Sequence, residues 1–145
     1  MTILDEEETF VVRYMTANDA VRAGNWLNYR VQQKSGVAQA AFPREIFPAT
    51  GLSFFAGNSL LAVAFLYLEE SSSVAVCGWC IANPANTASE SAIAVQKLMS
   101  AMPEYARQKG KKYLLTNFGN RGINRILAKL GFQKGEKAFS MFMNL

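Results

Sequence analysis

The chain has 145 residues, of which 50% are hydrophobic, and we therefore expect one globular domain over residues 1–145. It carries 15 lysines and arginines, 11 acidic residues and no histidine, which excludes Ser-His-Asp and Cys-His nucleophile pairs. No apolar run is long enough for a membrane-spanning helix. The acidic start, with Asp5 followed by Glu6 and Glu7, is unlike a secretory signal, so we expect a cytoplasmic protein with no membrane partner.

The first part of the chain predicts a strand, a helix and a meander of three strands. Residues 9–15 are rich in β-branched and aromatic side chains, which favours a strand. Thr16-x-x-Asp19 is a capping-box pattern and predicts a helix over 17–34. Residues 35–50 are loop-rich and predict at most a short helical turn. The three strands predicted next are 52–56, 59–68 and 74–82.

The stretch from residue 74 to 110 organises the rest of the chain. Its strand, residues 74–82, is apolar on both faces and is predicted to be buried, and the chain then breaks at Asn83-Pro84. Thr87-x-x-Glu90 is a second capping box and begins a long helix. A strand, a tight loop and a capped helix direct backbone N–H groups beyond the strand end, which is typical of a phosphate site. An ordinary βα unit with nothing bound has the same pattern.

The last part of the chain predicts further strands around one helix. The long helix is expected to end near Gly110, and the strand over 111–117 should run parallel to the strand over 74–82, because a helical crossover joins them. Residues 120–130 predict a shorter helix that ends at Gly131. Strands over 132–134 and 137–145 are predicted to close the sheet.

Cys77 and Cys80 have the C-x-x-C spacing that raises a redox or metal interpretation. Within one strand these two side chains should point to opposite faces, which argues against a redox pair. A zinc site needs further ligands, and the chain has no histidine and no third cysteine. We therefore predict no metal site and two buried, apolar thiols.

The basic residues are concentrated in the last third of the chain. Residues 97–145 contain ten basic and two acidic side chains. Such a balance suits a small polyphosphate ligand or a solvated basic surface. It does not favour nucleic acid, because the basic residues are not interleaved with aromatic ones in a recognisable binding motif.

The predicted element order, β-α-loop-β-β-β-α-β-α-β-β, resembles that of the GNAT family of acyl-CoA-dependent N-acetyltransferases over nearly the whole chain. The sharpest match is the pattern Asn120-x-x-Ile123-x-x-x-Leu127-x-x-x-Gly131-Phe132. The resemblance implies an α/β (α+β) fold with a mixed, mostly antiparallel central sheet flanked by helices, in which the fourth and fifth strands splay apart. It implies transfer of an acetyl group from acetyl-CoA to an unidentified small-molecule or peptide amine.

The resemblance also implies which residues hold the cofactor. The arm of CoA would lie along the strand over 74–82, and its diphosphate would lie at the following helix. The implied contacts are Cys80, Ile81 and Ala82 along the strand, Asn86, Thr87, Ala88 and Ser89 at the loop, Asn120 beside the arm, and Lys129 near the 3′-phosphate. Acceptor contacts could come from Trp26, Tyr29, Arg30 and Phe42, only because of where the fold would place them.

Two positions depart from the family pattern. The loop reads TASESA from Thr87 where the family has Q/R-x-x-G-x-G/A, and Leu127 stands where a tyrosine usually donates a proton. We therefore assign no catalytic residue. Tyr113 could donate a proton instead, but a tyrosine of the core or of a sheet face is the favoured interpretation of this position. The alternative is a catalytically inactive GNAT-like domain that serves as a CoA-binding or protein-interaction module. The apolar segment 137–145 could pair with a second copy in a homodimer or belong to the core.

Overall fold

The computed structural model describes residues 9–35, 42–118 and 121–135. A single 3-10 turn, Arg44–Ile46, lies in the loop before β2 and confirms the short helical turn expected there. The elements in chain order are β1 (Phe10–Tyr14), α1 (Ala17–Ser35), β2 (Gly51–Ala56), β3 (Ser59–Leu68), β4 (Val74–Ala82), α2 (Ala88–Gln108), β5 (Tyr113–Thr116) and α3 (Arg121–Lys129).

The described strands form one sheet in the order β1-β2-β3-β4-β5. The first four strands pair antiparallel, and β5 pairs parallel with β4, as the helical crossover predicted. Residues Tyr14, Leu52, Ala64 and Cys80 lie side by side across β1 to β4. The expected α+β fold with a mixed, mostly antiparallel sheet is confirmed.

Helices cover both faces of the sheet. On one face, α2 packs over the strands and α3 packs against α2, and Leu98, Met99 and Met102 of α2 have no exposed surface. On the other face, α1 packs Ala23 against a smaller cluster that includes Phe65 and Ile81. Because both faces are covered, no residue of β4 is exposed, but its predicted burial is incomplete: four of its nine residues are buried and five are partly buried. In the part of the chain that the structure describes, no helix is both long enough and apolar enough to cross a membrane.

Local hydrogen bonds set where α1 begins. The Thr16 N–H donates to Asp19 Oδ2 at 3.0 Å, and the Asp19 N–H donates to Thr16 Oγ1 at 3.2 Å. Asp19 is buried, and Ser53 Oγ also donates to its Oδ2 at 2.9 Å. The predicted capping box is therefore present, and the buried carboxylate accepts hydrogen bonds from two donors, the Thr16 N–H and the Ser53 hydroxyl.

Two predicted element boundaries differ from the structure. The predicted strand over 132–134 is wrong, because residues 132–135 have no regular secondary structure. The strand predicted over 111–117 shortens to β5, because the N–H groups of Lys112 and Tyr113 both donate to the Ser73 carbonyl before the parallel ladder begins. The strand predicted over 137–145 lies outside the described residues.

Candidate functional site

A gap opens along one edge of β4. The parallel ladder joins Val74–Cys77 of β4 to Tyr113–Thr116 of β5 and ends there. β4 continues to Ala82, and no described strand pairs with this continuation on the side of β5. Backbone hydrogen-bonding groups are therefore left open along the end of β4, as the predicted splaying of the fourth and fifth strands requires.

A β-bulge lies where the gap begins. Phe65 pairs with Trp79 and Tyr67 pairs with Val76, so β4 holds one extra residue around Cys77 and Gly78. This extra residue reverses the alternation, and Cys77 and Cys80 both contact the core cluster beneath α2. The prediction that the two thiols point to opposite faces is wrong, because it assumed an unbroken period of two. Both cysteines are free thiols.

The register fixes which backbone groups of β4 face the gap. The Asn83 N–H donates to the Leu61 carbonyl of β3 at 2.8 Å. Because alternate residues of an antiparallel strand hydrogen-bond in opposite directions, the Ile81 backbone faces β3, and the backbones of Cys80 and Ala82 face the gap. The Ala82 carbonyl already accepts a hydrogen bond from Arg30 Nη2 of α1 at 2.6 Å.

Two asparagines hold the loop between β4 and α2. Asn83 Nδ2 donates to the Leu60 carbonyl at 3.2 Å, and Asn83 Oδ1 accepts from the Ala85 N–H at 3.0 Å. Asn86 Nδ2 donates to the Leu61 carbonyl at 2.8 Å and to Ser91 Oγ at 3.3 Å. The side-chain N–H groups of Asn86 therefore position the loop, and Asn86 links β3 to α2 in the structure.

The capping box at the start of α2 leaves two backbone donors open. The Thr87 N–H donates to Glu90 Oε1 at 2.8 Å, and the Glu90 N–H donates to Thr87 Oγ1 at 3.1 Å, as the sequence predicted. A helix cannot satisfy its own first N–H groups, and no described residue accepts from the N–H groups of Ala88 and Ser89. These two donors and the helix dipole favour an anion at this end of α2.

The third helix presents one buried and one charged surface. Leu127 is only 3% exposed and packs in the core cluster beneath α2, so its side chain is part of the core. Arg121, Arg125 and Lys129 are all exposed, and their four-residue spacing places them along one stripe of α3. Lys129 also lines a cavity of about 140 Å³ between α3 and Gln96 of α2. Asn120 lies outside the described residues.

Aromatic side chains cover the opposite face of β4 at the bulge. The Trp79 ring makes edge contacts with Phe42 and Phe47, at 5.5 and 5.8 Å between ring centroids, and Phe47 stacks on Phe65 at 4.7 Å. The Phe42 N–H donates to Asn28 Oδ1 at 2.8 Å, which fastens this loop to α1. The two phenylalanines therefore anchor the loop after α1.

Burial controls the titratable groups beside the gap. Burial raises the pKa of the Cys80 thiol to about 12, although the nearby Arg30 charge acts in the opposite direction. Burial and the Cys80 charge also hold the pKa of Cys77 well above its ordinary value. Burial raises the Tyr67 pKa, although the nearby Trp79 side chain acts in the opposite direction. All three groups keep their protons near neutral pH.

Tyr67 of β3 is a group beside the bulge that sequence reasoning missed. A Cβ at Gly78 would lie 3.7 Å from Tyr67 Cε2, so this ring borders the bulge, and Tyr67 Oη donates to the Ile46 carbonyl at 2.5 Å. Tyr113, which the sequence offered as a proton donor, is 67% exposed and lies opposite Val74 at the far end of the ladder. The position of Tyr67 beside the bulge follows from the pairing of β3 with β4, which spacing along the chain does not reveal.

Comparison with solved structures finds proteins of the same fold, whereas the sequence comparisons find no match. No protein-family description matches the sequence, and no curated protein is detectably similar to it. An aminoglycoside acetyltransferase from an uncultured soil metagenomic sample, solved with sisomicin, is 9% identical, with a TM-score of 0.63 over 98% of this chain and 99% of its own. The putative acetyltransferase yncA of Salmonella typhimurium, solved with acetyl-CoA, is 14% identical, with a TM-score of 0.65 over 86% of this chain and 79% of its own.

A third solved structure is the ribosomal-protein-alanine N-acetyltransferase of Brucella melitensis biovar Abortus 2308. It is 10% identical to this chain and has a TM-score of 0.60, and the match covers 93% of this chain and 100% of its own. Such similarity at low identity concerns the course of the backbone. The chain therefore has the fold of the GNAT acetyltransferases.

Proposed function

We propose that this protein is an acetyl-CoA-dependent N-acetyltransferase that acetylates a small-molecule or peptide amine. The observation that carries the proposal is the open edge of β4 leading directly into the capped start of α2. Structures of the same fold carry CoA or acetyl-CoA, which supports acetyl-CoA as the cofactor. Aminoglycoside acetyltransferases among them support an amine as the acceptor.

The residues that face the gap fit the groups of the cofactor. We propose that the backbones of Cys80 and Ala82 bind the amide-bearing arm, because they are the β4 groups directed into the gap. The open N–H groups of Ala88 and Ser89 suit the diphosphate, and Lys129 suits the 3′-phosphate. Ile81 contributes through its buried side chain, which fixes the strand between the two open positions. Asn120 remains a predicted contact to the arm.

The chain supplies orientation and hydrogen bonding rather than a dedicated proton donor. When bound, acetyl-CoA supplies the activated acetyl group and a thiolate leaving group. Orientation of two reactants contributes roughly 7–11 kcal/mol in favourable cases, and backbone N–H groups that polarise a carbonyl contribute further. Leu127 carries no ionisable proton and is buried in the core, so the proposal assigns proton transfer to water.

A calorimetric titration with CoA and with acetyl-CoA tests the proposal. We expect micromolar binding of both to the wild-type protein. A Ser89→Asp variant should bind more weakly, because it adds a negative charge beside the open N–H groups. Its stability should be unchanged or higher, because an acidic residue in the first turn of a helix is favourable.

Ser100→Asp is the matched control for this titration. It adds the same charge to α2, roughly 16 Å further along the helix at 1.5 Å per residue, and should leave the CoA affinity unchanged. Absence of CoA and acetyl-CoA binding by the wild-type protein would contradict the proposed function. Binding without thiol release in the presence of any tested amine would instead support the inactive cofactor-binding domain.

A further inference from the structure

Arg30 breaks the apolar pattern of α1. Ala23, Trp26 and Leu27 pack toward the sheet, and Arg30 lies three to seven residues further on, which places it on the same side of the helix. An amphipathic helix normally carries an apolar residue at such a position. A local pattern broken without an apparent packing reason is expected at functional sites.

The guanidinium of Arg30 lies at the open edge of β4. It donates to the Ala82 carbonyl across 52 residues of sequence, and its charge acts on the neighbouring Cys80 thiol. In the described part of the chain, the only ion pair joins Arg107 to Glu104. Arg30 is therefore a half-buried cation without a described carboxylate partner, and a partly buried charge of this kind is stabilised by an anion.

The adjoining loop lacks a cation of its own. Residues 83–92 read NPANTASESA and contain no lysine or arginine. Their one charged side chain is Glu90, which would repel a diphosphate bound at the start of α2. Ala82 is the residue immediately before this loop, so the Arg30 guanidinium lies at the point where β4 passes into the loop.

From these observations we infer that Arg30 binds the diphosphate of the cofactor and supplies, from α1, the positive charge that the loop after β4 lacks. The inference rests on the proposed function. In the proposed pose the arm runs from the loop back along β4 toward Gly78, which lies about 13 Å from Ala82 at 3.3 Å per residue. A carboxylate of an acceptor bound at the far end of the arm is therefore a poorer candidate ligand for Arg30. A planar guanidinium has five N–H donors, so the bond to the Ala82 carbonyl leaves donors for phosphate oxygens.

Titrations with three ligands test the inference. CoA, 3′-dephospho-CoA and pantetheine differ in the 3′-phosphate and then in the diphosphate. We expect Arg30→Gln to weaken CoA and dephospho-CoA equally, by about tenfold, as for loss of one charge-assisted hydrogen bond. Its affinity for pantetheine should match that of the wild-type protein. Lys129→Gln should instead weaken CoA and spare dephospho-CoA.

Arg22→Gln is the matched control, because it removes the same charge from α1 two turns earlier, where Arg22 lies over the Trp26 ring. It should leave all three affinities unchanged. Unchanged CoA binding by Arg30→Gln would overturn the inference and leave Arg30 with only its structural contact to the Ala82 carbonyl. An equal loss of pantetheine affinity would also overturn it, because the contact would then be to the arm.

A measurement on the wild-type protein keeps the inference testable if Arg30→Gln does not fold. CoA should protect Arg30 from modification by phenylglyoxal, as measured by mass spectrometry of the digested protein, and pantetheine should not. Modification of Arg30 at the same rate with and without saturating CoA would overturn the inference. Failure of the wild-type protein to bind CoA would instead contradict the proposed function.

Discussion

The backbone of Cys80 faces the gap in the sheet, but its side chain packs against the core cluster, and burial determines the state of its thiol. Its pKa is raised from 9.0 to about 12, so the folded protein retains a proton that the unfolded chain loses above pH 9. The contribution of Cys80 to the free energy of unfolding should therefore be constant below pH 9 and should fall between pH 9 and pH 12. The expected slope is at most about 1.4 kcal/mol per pH unit for one group.

Urea unfolding at pH 8, 9 and 10 measures this dependence. The Cys80→Ala variant is the control, because it lacks the group and should lose stability less steeply over the same range. Burial is the largest cause of the raised Cys77 pKa and is common to both proteins, so most of the pH dependence that Cys77 adds is shared. Parallel pH profiles for the two proteins would show that the Cys80 thiol is not the group responsible.

Leu127 is a core residue at the position where the family resemblance placed a proton donor. We expect Leu127→Ala to lower the free energy of unfolding by about 2–5 kcal/mol, because it leaves a cavity among buried side chains. Leu130→Ala removes the same atoms from a side chain that is 36% exposed and should cost less. Equal losses in urea unfolding would contradict the assignment of Leu127 to the core.

A tyrosine at position 127 would not restore a family-like site by itself. The larger ring would enter a packed cluster beneath α2, and its hydroxyl would need a hydrogen-bond partner there. Only packing shows why a leucine suits this position.

At the scale of single elements, capping side chains determine where the helices begin. Thr87 and Glu90 exchange hydrogen bonds at the start of α2, and Thr16 and Asp19 do the same for α1. Both capping boxes were predicted, because a cap depends on residues three apart in the chain. The bulge in β4 was not predicted, because it depends on how β4 pairs with β3.

Thr87→Ala tests the cap of α2. We expect it to lower the free energy of unfolding by about 1 kcal/mol, because the Glu90 N–H loses its acceptor. Ser100→Ala is the control; it removes a hydroxyl that donates to the Gln96 carbonyl within the helix and should change stability little. A Thr87→Ala variant as stable as the wild-type protein in urea would show that water replaces the cap.

For the molecule as a whole, the uneven distribution of charge should act on the ligand. Ten basic side chains lie within residues 97–145, including the exposed stripe of Arg121, Arg125 and Lys129 on α3. We expect CoA affinity to fall as salt rises from about 0.05 to 0.5 M, because exposed charges are screened over about 10 Å at 0.1 M. Pantetheine has no phosphate, so its affinity should not change with salt. If calorimetry showed that the affinities of the two ligands depend equally on salt, this role of the basic side chains would be contradicted.

The sequence by itself determined the order of the described elements from β1 to α3, both capping boxes and the basic character of the last third. These features depend on residues near one another in the chain, where periodicity and side-chain-to-backbone hydrogen bonds act. Tertiary structure alone decided that Cys77 and Cys80 share a face, that Ile81 faces β3, and that Arg30 meets Ala82. Each of these depends on the register of strands or on a contact between distant segments, which local patterns do not specify.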